Sequence, residues 1–349
     1  MFIRRCTKCI FPESVPGIEF DSNGACNFCN EFIKEKNKHS EFELIEKFSN
    51  AKRKNVKYDC IVPLSGGRDS SYVLYLAKDV YKLNVLAVNY NNEFQTDCAK
   101  KNIENAVKAL DVDLVSIKSK KNIAHKIVKY KFLSCDEYKQ YCVCRACSYG
   151  IKSIPYREAI RRKIPLILWG DSNNEKTTDI MSKVNKSVNM PNRRSKLSNL
   201  NYYIYELNFL LQRLEFPVDG NYFFERRTPK LFNKDIENVH IFNYIPWDRK
   251  IIKQVITNRL NWQMPKDSAT SWRTDCKLTP LINYYYLKTY GCTKACFGYH
   301  KMINYGQITR EEALYQEINI IKNLTTEFIR KIVTDEIGIK REKAENIIQ

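Results

Sequence analysis

Residues 58–76 of the chain read YDCIVPLSGGRDSSYVLYL, and this stretch decides the fold. The apolar run YDCIVPL predicts a buried strand, which the glycines and serines of SGGRDS end. The residues that follow, SYVLYLAKDVYKL, predict a helix with one apolar face. A glycine-rich turn between a strand and a helix is typical of a phosphate site, because exposed N–H groups and the helix N-terminus attract anionic oxygens.

Strands and helices continue to alternate beyond this stretch. Three apolar segments predict further strands: NVLAVNY (84–90), LVSIK (114–118) and PLILWG (165–170). The intervening patterns predict helices near residues 96–110, 121–132 and 153–163. This alternation favours an α/β fold, a parallel sheet with right-handed crossovers and helices on both faces. Ligands of such sheets bind beyond the carboxyl ends of the strands.

The chain divides into three predicted regions. Residues 1–50 hold a cysteine-rich segment and a connector helix that begins at the capping box Ser40–Glu43. Residues 51–180 form the α/β domain, and residues 181–349 form a basic insertion and a mostly helical C-terminal region for a substrate or partner. The insertion includes SKVNKSVNMPNRRSK (182–196), which has no acidic residue and fits either a phosphate-contacting loop or a solvated one.

The composition is that of a folded, basic protein. The 349 residues include 58 Lys and Arg against 39 Asp and Glu, a net charge of +19, and 44% of residues are hydrophobic, which excludes a disordered chain. The charge fits nucleotides, nucleotide-sugars or RNA without choosing among them. No apolar run approaches the roughly 18 residues that span a bilayer, so we expect no membrane insertion and a cytoplasmic location.

The first thirty residues carry two CxxC pairs, Cys6 with Cys9 and Cys26 with Cys29, separated by sixteen residues. In a reducing compartment, cysteines at this spacing are typical of metal ligands rather than of disulfides. Two such pairs supply the four sulfur ligands that Zn²⁺ prefers and leave no open position for chemistry. The spacing therefore predicts a zinc ribbon with a structural metal ion.

The turn SGGRDS resembles the SGGxDS motif of the PP-loop, or N-type, ATP pyrophosphatases. It is not a Walker loop, because no Gly-Lys-[Ser/Thr] follows at the required spacing. The resemblance implies ATP and Mg²⁺ as cofactors, cleavage of ATP between its α- and β-phosphates, and adenylylation of a substrate oxygen. It also implies that the loop residues bind pyrophosphate or its Mg²⁺ ion: Ser65, Gly66, Gly67, Asp69 and Ser70. Asn89 and Tyr90 would lie near the adenine of ATP.

A wider resemblance covers nearly the whole chain. It is carried by CTKCIFPESVPGIEFDSNGACNFC (6–29), PLSGGRDSSYVL (63–74), CRACSYG (144–150), LILWGDSNNE (166–175), RTDCKLTPLINYYYLKTYG (273–291) and INYGQITREEAL (303–314). Together these segments resemble the N-acetyl sugar amidotransferase family of surface-polysaccharide and nonulosonic-acid loci. The resemblance implies conversion of the acetamido group of an N-acetyl sugar, usually nucleotide-linked such as a UDP-sugar, into an acetamidino group. AMP is transferred to the amide oxygen, and ammonia then displaces it.

Two carboxylates are the candidate catalytic residues. Asp69 belongs to the loop and would act through the metal ion, while Asp171 follows a predicted strand in WGDS. Glu175 lies close by and is a further candidate for metal or sugar contacts. Helix capping or simple solvation explains Asp171 and Glu175 equally well.

The source of ammonia is not evident within the chain. An N-terminal-nucleophile glutaminase needs Cys directly after the initiator Met, where this chain has Phe2. A triad-type glutaminase needs a nucleophile elbow resembling Gly-x-Cys-x-Gly with a partner histidine, and no such string occurs in this sequence, which has four histidines. The family resemblance implies two separate subunits, a glutaminase and a barrel-type protein that channels ammonia. Free ammonium is the other source.

A second cysteine set keeps another function open. Cys144 and Cys147, placed just before a helix, and the distant Cys276 resemble the three thiolates that hold a [4Fe–4S] cluster in PP-loop tRNA thiolation enzymes. A second zinc site that recruits Cys142, Cys292 or Cys296, or a set of free thiols, is the alternative.

The alternative function is therefore a tRNA sulfurtransferase, whose phosphate contacts the net charge would supply. We favour the sugar amidotransferase because its resemblance extends from the cysteine pairs to ITREEAL, and under it we expect no nucleic-acid partner.

Overall fold

The computed structural model describes residues 3–34, 39–118, 122–133, 139–172, 177–187, 236–265, 268 and 270–348. The basic residues beyond 187 and the candidate Glu175 lie outside this part of the chain. No helix in these ranges is long and apolar enough to cross a bilayer.

A five-stranded parallel sheet with the strand order β3-β2-β1-β4-β5 organises the fold. Its strands are β1 (Cys60–Pro63), β2 (Val85–Asn91), β3 (Asp113–Lys118), β4 (Leu166–Trp169) and β5 (Glu237–His240). The chain order reverses at β1, so the SGGRDS loop that follows β1 lies at the topological switch point, at the middle of the carboxyl edge. The predicted fold class, a parallel sheet with the loop after its first strand, is confirmed.

The strand β5 was not predicted from the sequence. Its residues ENVH contain one fully buried side chain, Val239, because β5 is an edge strand. A segment this short and polar lacks the apolar run by which the central strands are recognised. The region boundaries at residues 50 and 180 stay predictions, although β5 joins the sheet from beyond the second of them.

Helices cover both faces of the sheet, as expected. Those of the α/β region and before it are α1 (Asn27–Asn30), α2 (Glu41–Lys52), α3 (Arg68–Tyr75, continued by a π-helical turn over Leu76–Val80), α4 (Asp97–Leu110), α5 (Ile123–Leu133), α6 (Lys139–Arg162) and α7 (Thr178–Ser187). Strand β1 alternates its side chains: Cys60 and Val62 lie in the larger core, and Ile61 lies in a second core with Ile154 and Ala159 of α6. The predicted capping box at Ser40 is confirmed.

The helix α6 differs from its prediction, which began near residue 153. It begins at Lys139 instead, so CRACSYG lies within the helix rather than before it. Proline is typical of the first turn of a helix, but Pro155 lies in the interior of α6. Packing of α6 against the sheet and against the helices beyond it outweighs the hydrogen bond that the proline removes.

The C-terminal region is mostly helical, as expected. Its helices are α8 (Arg249–Leu260), α9 (Thr279–Tyr290), α10 (Lys294–Asn304), α11 (Arg310–Lys322), α12 (Thr326–Lys331) and α13 (Arg341–Ile348), with short 3-10 and π-helical turns at Ile241–Asn243 and Ile332–Glu336.

The cysteine-rich N-terminal segment packs on these helices. Phe11 stacks on His300 of α10 at 4.8 Å, and Nε of Arg310 donates to the carbonyl oxygens of Cys6 and Cys9 at 3.1 and 2.9 Å. The ITREEAL segment thus meets the CxxC segment in space.

Gly66 generates the first prediction. Its φ of +81° is left-handed, and a Cβ atom there would lie 2.1 Å from the carbonyl oxygen of Ala99 in α4. The left-handed backbone costs an L-residue about 1 to 2 kcal/mol. The clash adds about 1 to 3 kcal/mol, because the obstructing atom belongs to a helix backbone. We expect Gly66→Ala to lower the free energy of unfolding, measured by urea titration, by the sum of these two costs.

Gly306→Ala is the matched control. Gly306 has a similar φ of +74°, but no atom lies within 4 Å of the point that a Cβ atom would occupy there, so only the backbone cost applies. Equal losses in the two variants would contradict the close approach of the loop to α4.

Candidate active site and metal centre

The loop at residues 65–70 is folded by its own hydroxyl groups. Ser65 Oγ accepts a hydrogen bond from the Gly67 N–H at 3.2 Å and lies 3.2 Å from Ser70 Oγ, which itself accepts from the Ser65 N–H at 3.3 Å. Gly67 is the N-cap of α3 and has no side chain to fill the space over the helix terminus. The predicted phosphate-binding residues are therefore brought together at one helix N-terminus.

Two side chains hold the back of the loop and were not predicted. Trp262 Nε1 and Asn102 Nδ2 donate to the Gly66 carbonyl oxygen at 3.0 and 3.3 Å. These bonds satisfy the Gly66 carbonyl oxygen and fix the turn. Nothing in their sequence neighbourhoods marks them, since Trp262 comes from the loop after α8 and meets Gly66 only in the folded chain.

Asp69 is held by a buried arginine. Nε and Nη2 of Arg68 donate to the two carboxylate oxygens of Asp69 at 3.0 and 2.9 Å, and Trp247 Nε1 donates to Oδ1 at 3.0 Å. Arg68 is 3% exposed, stacks on the Trp247 ring at 4.9 Å and also donates to Ser271 Oγ at 3.1 Å. A bidentate pair of this kind fixes the Asp69 carboxylate beside the loop.

A cavity of about 690 Å³ opens at the carboxyl edge of the sheet, a size suited to a small-molecule ligand. The loop forms its centre through Ser65, Gly67, Asp69 and Ser70. One side of the cavity follows β2, and the other follows β4 and β5. We call these the β2 side, which includes Asn89 and Tyr90, and the β4–β5 side, which includes Asp171 and His240.

On the β2 side, both predicted adenine neighbours lie in the cavity wall. The Asn89 amide is already engaged, because Nδ2 donates to the Leu64 carbonyl at 2.8 Å and Oδ1 accepts from Ser116 Oγ at 3.1 Å. Asn89 therefore ties the end of β2 to the end of β1. Tyr90 packs so closely on Gly150 of α6 that a Cβ atom there would lie 2.2 Å from its ring, and burial raises the pKa of its hydroxyl.

On the β4–β5 side, Asp171 meets a histidine that was not predicted. His240 Nδ1 lies 2.6 Å from Asp171 Oδ1, and both side chains are about half exposed. Beside them, Trp169 Nε1 donates to Asn238 Oδ1 at 2.9 Å, and the Asn238 amide contacts the Tyr156 hydroxyl. His240 ends β5, so the failure to recognise that strand also hid this residue.

The segment 271–275, which is distant from the loop in sequence, forms another part of the cavity wall. Its Asp275 carboxylate lies beside the loop, with Oδ2 at 3.4 Å from a Cβ position on Gly67. Thr96 Oγ1 donates to the Thr274 carbonyl at 2.9 Å and fixes the segment to the start of α4. Asp275 is thus a cavity carboxylate that was not predicted, although its neighbour Cys276 was.

The second cysteine set is less compact than the N-terminal one. Cys147 and Cys276 pack in one apolar cluster and Cys144 packs against another. Among the described residues, the four N-terminal cysteines are the group whose ligand atoms all lie within 4.8 Å of one another. Burial, with neighbouring thiols adding to it, raises the pKa of Cys147 to about 12, and burial raises that of Cys276 to about 11. Burial opposes ionisation of Cys144 too, but Arg273 and Lys294, 3.7 and 3.9 Å from its sulfur, lower its pKa. Arg273 also lines the cavity, so it connects the Cys144 sulfur to the cavity wall.

The four N-terminal cysteines form a compact sulfur cluster. All four sulfur atoms lie within 4.8 Å of one another; Cys6 and Cys29 are 4.0 Å apart, and Cys9 and Cys26 are 3.9 Å apart. A Zn–S bond of about 2.3 Å places tetrahedral sulfurs about 3.8 Å apart, so the spacing fits a single tetrahedral ion.

The surroundings of these sulfurs suit bound thiolates. The N–H groups of Cys9 and Cys26 donate to the Cys6 sulfur at 3.3 and 3.2 Å, and His300 Nδ1 lies 3.6 Å from the Cys29 sulfur. Burial and the neighbouring thiols raise the pKa of Cys9 well above its ordinary value. Four thiolates in this core would need a bound cation to compensate their charge.

The sheet, the loop and the cavity define an α/β protein with a parallel sheet and a glycine-rich loop at its topological switch point. No protein-family model matches the chain. An uncharacterized protein of Methanocaldococcus jannaschii is 32% identical over 117 residues, which are 32% of this chain. The match spans 41% of that relative's length.

Among solved structures, the U34-tRNA thiolase NcsA from Methanococcus maripaludis, with its [4Fe-4S] cluster, is 16% identical over 91% of this chain and 89% of its own, with a TM-score of 0.38. NMN synthetase from Francisella tularensis is 12% identical over 88% and 98%, with a TM-score of 0.39. The NH3-dependent NAD synthetase from Campylobacter jejuni is 14% identical over 55% and 93%, with a TM-score of 0.31. At these identities and TM-scores, the three proteins do not assign an activity to this chain.

The sulfur cluster generates the second prediction. We expect the purified protein to contain one tetrahedral metal ion at the N-terminal cysteines and Cys26→Ser to lose it, because one of its four ligands is removed. Metal content per chain, measured by mass spectrometry, checks this. Cys60→Ala is the control, since Cys60 is equally buried but lies in β1, outside the cluster. Full metal retention in Cys26→Ser would contradict the assignment.

Proposed function

We propose that the protein is an ATP-dependent, AMP-forming N-acetyl sugar amidotransferase. It would adenylylate the acetamido oxygen of an N-acetyl sugar or its nucleotide conjugate and replace it with ammonia, giving an acetamidino sugar, AMP and pyrophosphate. This reaction would serve lipopolysaccharide, O-antigen or nonulosonic-acid biosynthesis in the cytoplasm. The observation that carries the proposal is the SGGRDS loop at the centre of one cavity that has two sides, on which the proposal places the two substrates.

The loop supplies the features that ATP activation requires. The N–H groups at the start of α3 and the hydroxyls of Ser65 and Ser70 would hold the phosphates. Asp69 and Asp275 are the carboxylates beside these groups. Mg²⁺ is typically bound by one or two carboxylates together with the phosphates of the substrate. When bound, Mg²⁺ neutralises charge on the departing pyrophosphate.

The β4–β5 side suits an N-acetyl sugar. The rings of Trp169 and Tyr156 provide apolar surface. The Asn238 amide bonds to both of them, and its second N–H and second oxygen lone pair would be the groups left for a sugar. With the nucleoside of ATP on the β2 side near Tyr90, an acetamido oxygen on the opposite side would approach the α-phosphate from across the loop. Holding two reactants in this way is itself a large part of such catalysis.

We assign the N-terminal cluster to a structural Zn²⁺ ion. Its four cysteines leave no open coordination position, and Arg310 and Phe11 join the ribbon to the C-terminal helices. Ammonia would come from a separate glutaminase with a barrel-type channelling subunit, or from free ammonium.

A tRNA thiolation enzyme is the second candidate, and one observation favours it. Cys144, Cys147 and Cys276 lie near enough to influence one another's pKa, and Arg273 and Lys294 favour the thiolate form of Cys144. Three thiolates match the ligand need of a [4Fe–4S] cluster with one open iron. Amidation requires no sulfur centre, so iron at this site would favour thiolation.

The third prediction separates the two functions. We expect ATP, Mg²⁺, ammonium and a panel of UDP-N-acetyl sugars to give AMP and pyrophosphate only when an accepted sugar is present, because the amide oxygen is the group that takes AMP. Coupled pyrophosphate detection and mass spectrometry of the sugar measure this. Turnover that is independent of sugar, or stimulated by unmodified tRNA together with iron and sulfide in anaerobically purified protein, would overturn the amidotransferase.

The fourth prediction concerns Asp69. We expect Asp69→Asn to lower sugar-dependent pyrophosphate release by about 100-fold or more, because the carboxylate beside the phosphates loses its charge. Asn retains an oxygen that accepts from Arg68 and so preserves the fold. Asp97→Asn is the matched control: Asp97 also lies in the first turn of a helix, but its side chain is 88% exposed and does not line the cavity. Similar rates in the two variants would refute the role of Asp69.

A further inference from the structure

His240 and Asp171 are brought together by the pairing of β4 with β5. His240 is the last residue of β5 and lies opposite Trp169, the last residue of β4. Asp171 follows two residues later, and its Oδ1 lies 2.6 Å from His240 Nδ1. Both residues line the cavity that also contains the SGGRDS loop.

The carboxylate sets the tautomer of the imidazole ring. A carboxylate oxygen accepts hydrogen bonds, so Nδ1 of His240 carries the proton in this pair. The other ring nitrogen, Nε2, is then unprotonated in the neutral ring and available as a proton acceptor. A carboxylate that orients a histidine in this way also stabilises the imidazolium ion that forms when Nε2 takes a proton.

The position of the pair distinguishes it from an ordinary surface contact. An exposed ion pair contributes at most about 1 kcal/mol to stability, so a stabilising role alone explains this pair poorly. His240 is also the histidine that lines the cavity: His39 bonds to Glu43, His125 to the Glu336 backbone, and His300 lies at the sulfur cluster. Histidine is the side chain whose ordinary pKa suits proton transfer near neutral pH.

We propose that His240 is the general base of the amidation step and that Asp171 is its positioning residue. The inference rests on the proposed function. It adds to that function the residue that accepts a proton from the attacking ammonia. Ammonia uses its lone pair to form a bond to the imidate carbon of the adenylylated acetamido group, and the C=N π pair moves onto the sugar-side nitrogen, which keeps its proton. The new nitrogen then carries a positive charge, and one of its N–H protons passes to His240 Nε2. The lone pair left on that nitrogen forms a new C=N bond as the C–O bond breaks with its electron pair leaving on AMP, and the protonated acetamidino group remains. The imidazolium then releases its proton to water.

The β4–β5 side is the right place for this step. The loop would hold the phosphates at the centre of the cavity, and the sugar amide would lie between the loop and the pair. A base on this side reaches the incoming nitrogen without contacting the pyrophosphate site. His240 would therefore act after adenylylation and take no part in it.

The test measures the two half-reactions separately. We expect His240→Gln to lower acetamidino-sugar formation from ammonium by about 100-fold or more, the usual contribution of a general base, with the most active sugar of the panel. Sugar-dependent exchange of labelled pyrophosphate into ATP, measured without ammonium, should change by less than about twofold, the scatter expected for a residue outside that half-reaction. Added imidazole should restore part of the activity of His240→Ala, and Asp171→Glu should retain more amidation than Asp171→Asn.

His39→Gln is the matched control, because His39 is likewise exposed and lies 3.0 Å from a carboxylate, that of Glu43, but does not line the cavity. Normal amidation by His240→Gln, or a parallel loss of exchange and amidation, would overturn the general base. Absence of sugar-dependent exchange in the unmodified protein would instead refute the proposed function, and the inference would fall with it.

Discussion

The close approach of the Gly66 backbone to α4 is the constraint on which the rest of the site depends. Because no side chain stands between them, the loop can turn in the left-handed conformation and present its N–H groups at the start of α3. Trp262 and Asn102 hold the carbonyl on the other side of that turn. The parallel sheet places this turn at its centre, and the cavity follows from the divergence of the chain on either side of β1.

Much of the fold was predictable because its determinants are local. The apolar run before Ser65, the glycines after it and the alternating helices specify a parallel sheet, and the CxxC spacing specifies a sulfur cluster. What was not predictable depends on distant partners. The strand ending at His240 is recognisable only by its pairing with β4, and the start of α6 is set by packing rather than by Pro155.

The same distinction applies to the site. Asp69 and Asp171 stand in recognisable motifs, whereas Arg68 depends on contacts with Trp247 and Ser271, which lie about 180 and 203 residues further along the chain. A buried guanidinium between a carboxylate and an indole is a property of the folded chain. The roles of these residues in binding and catalysis remain proposals.

The segment 271–275 has a consequence for how the chain can be divided. It contacts the loop through Ser271, the start of α4 through Thr274 and the cysteines through Arg273. The α/β region thus takes part of its cavity wall from the segment that precedes α9, and the cysteine-rich N-terminal segment packs on the C-terminal helices in turn. A fragment ending soon after β5 would leave polar backbone at the loop unmatched and apolar strands uncovered. The three predicted regions are therefore expected to unfold together, as one cooperative unit, rather than as separable modules.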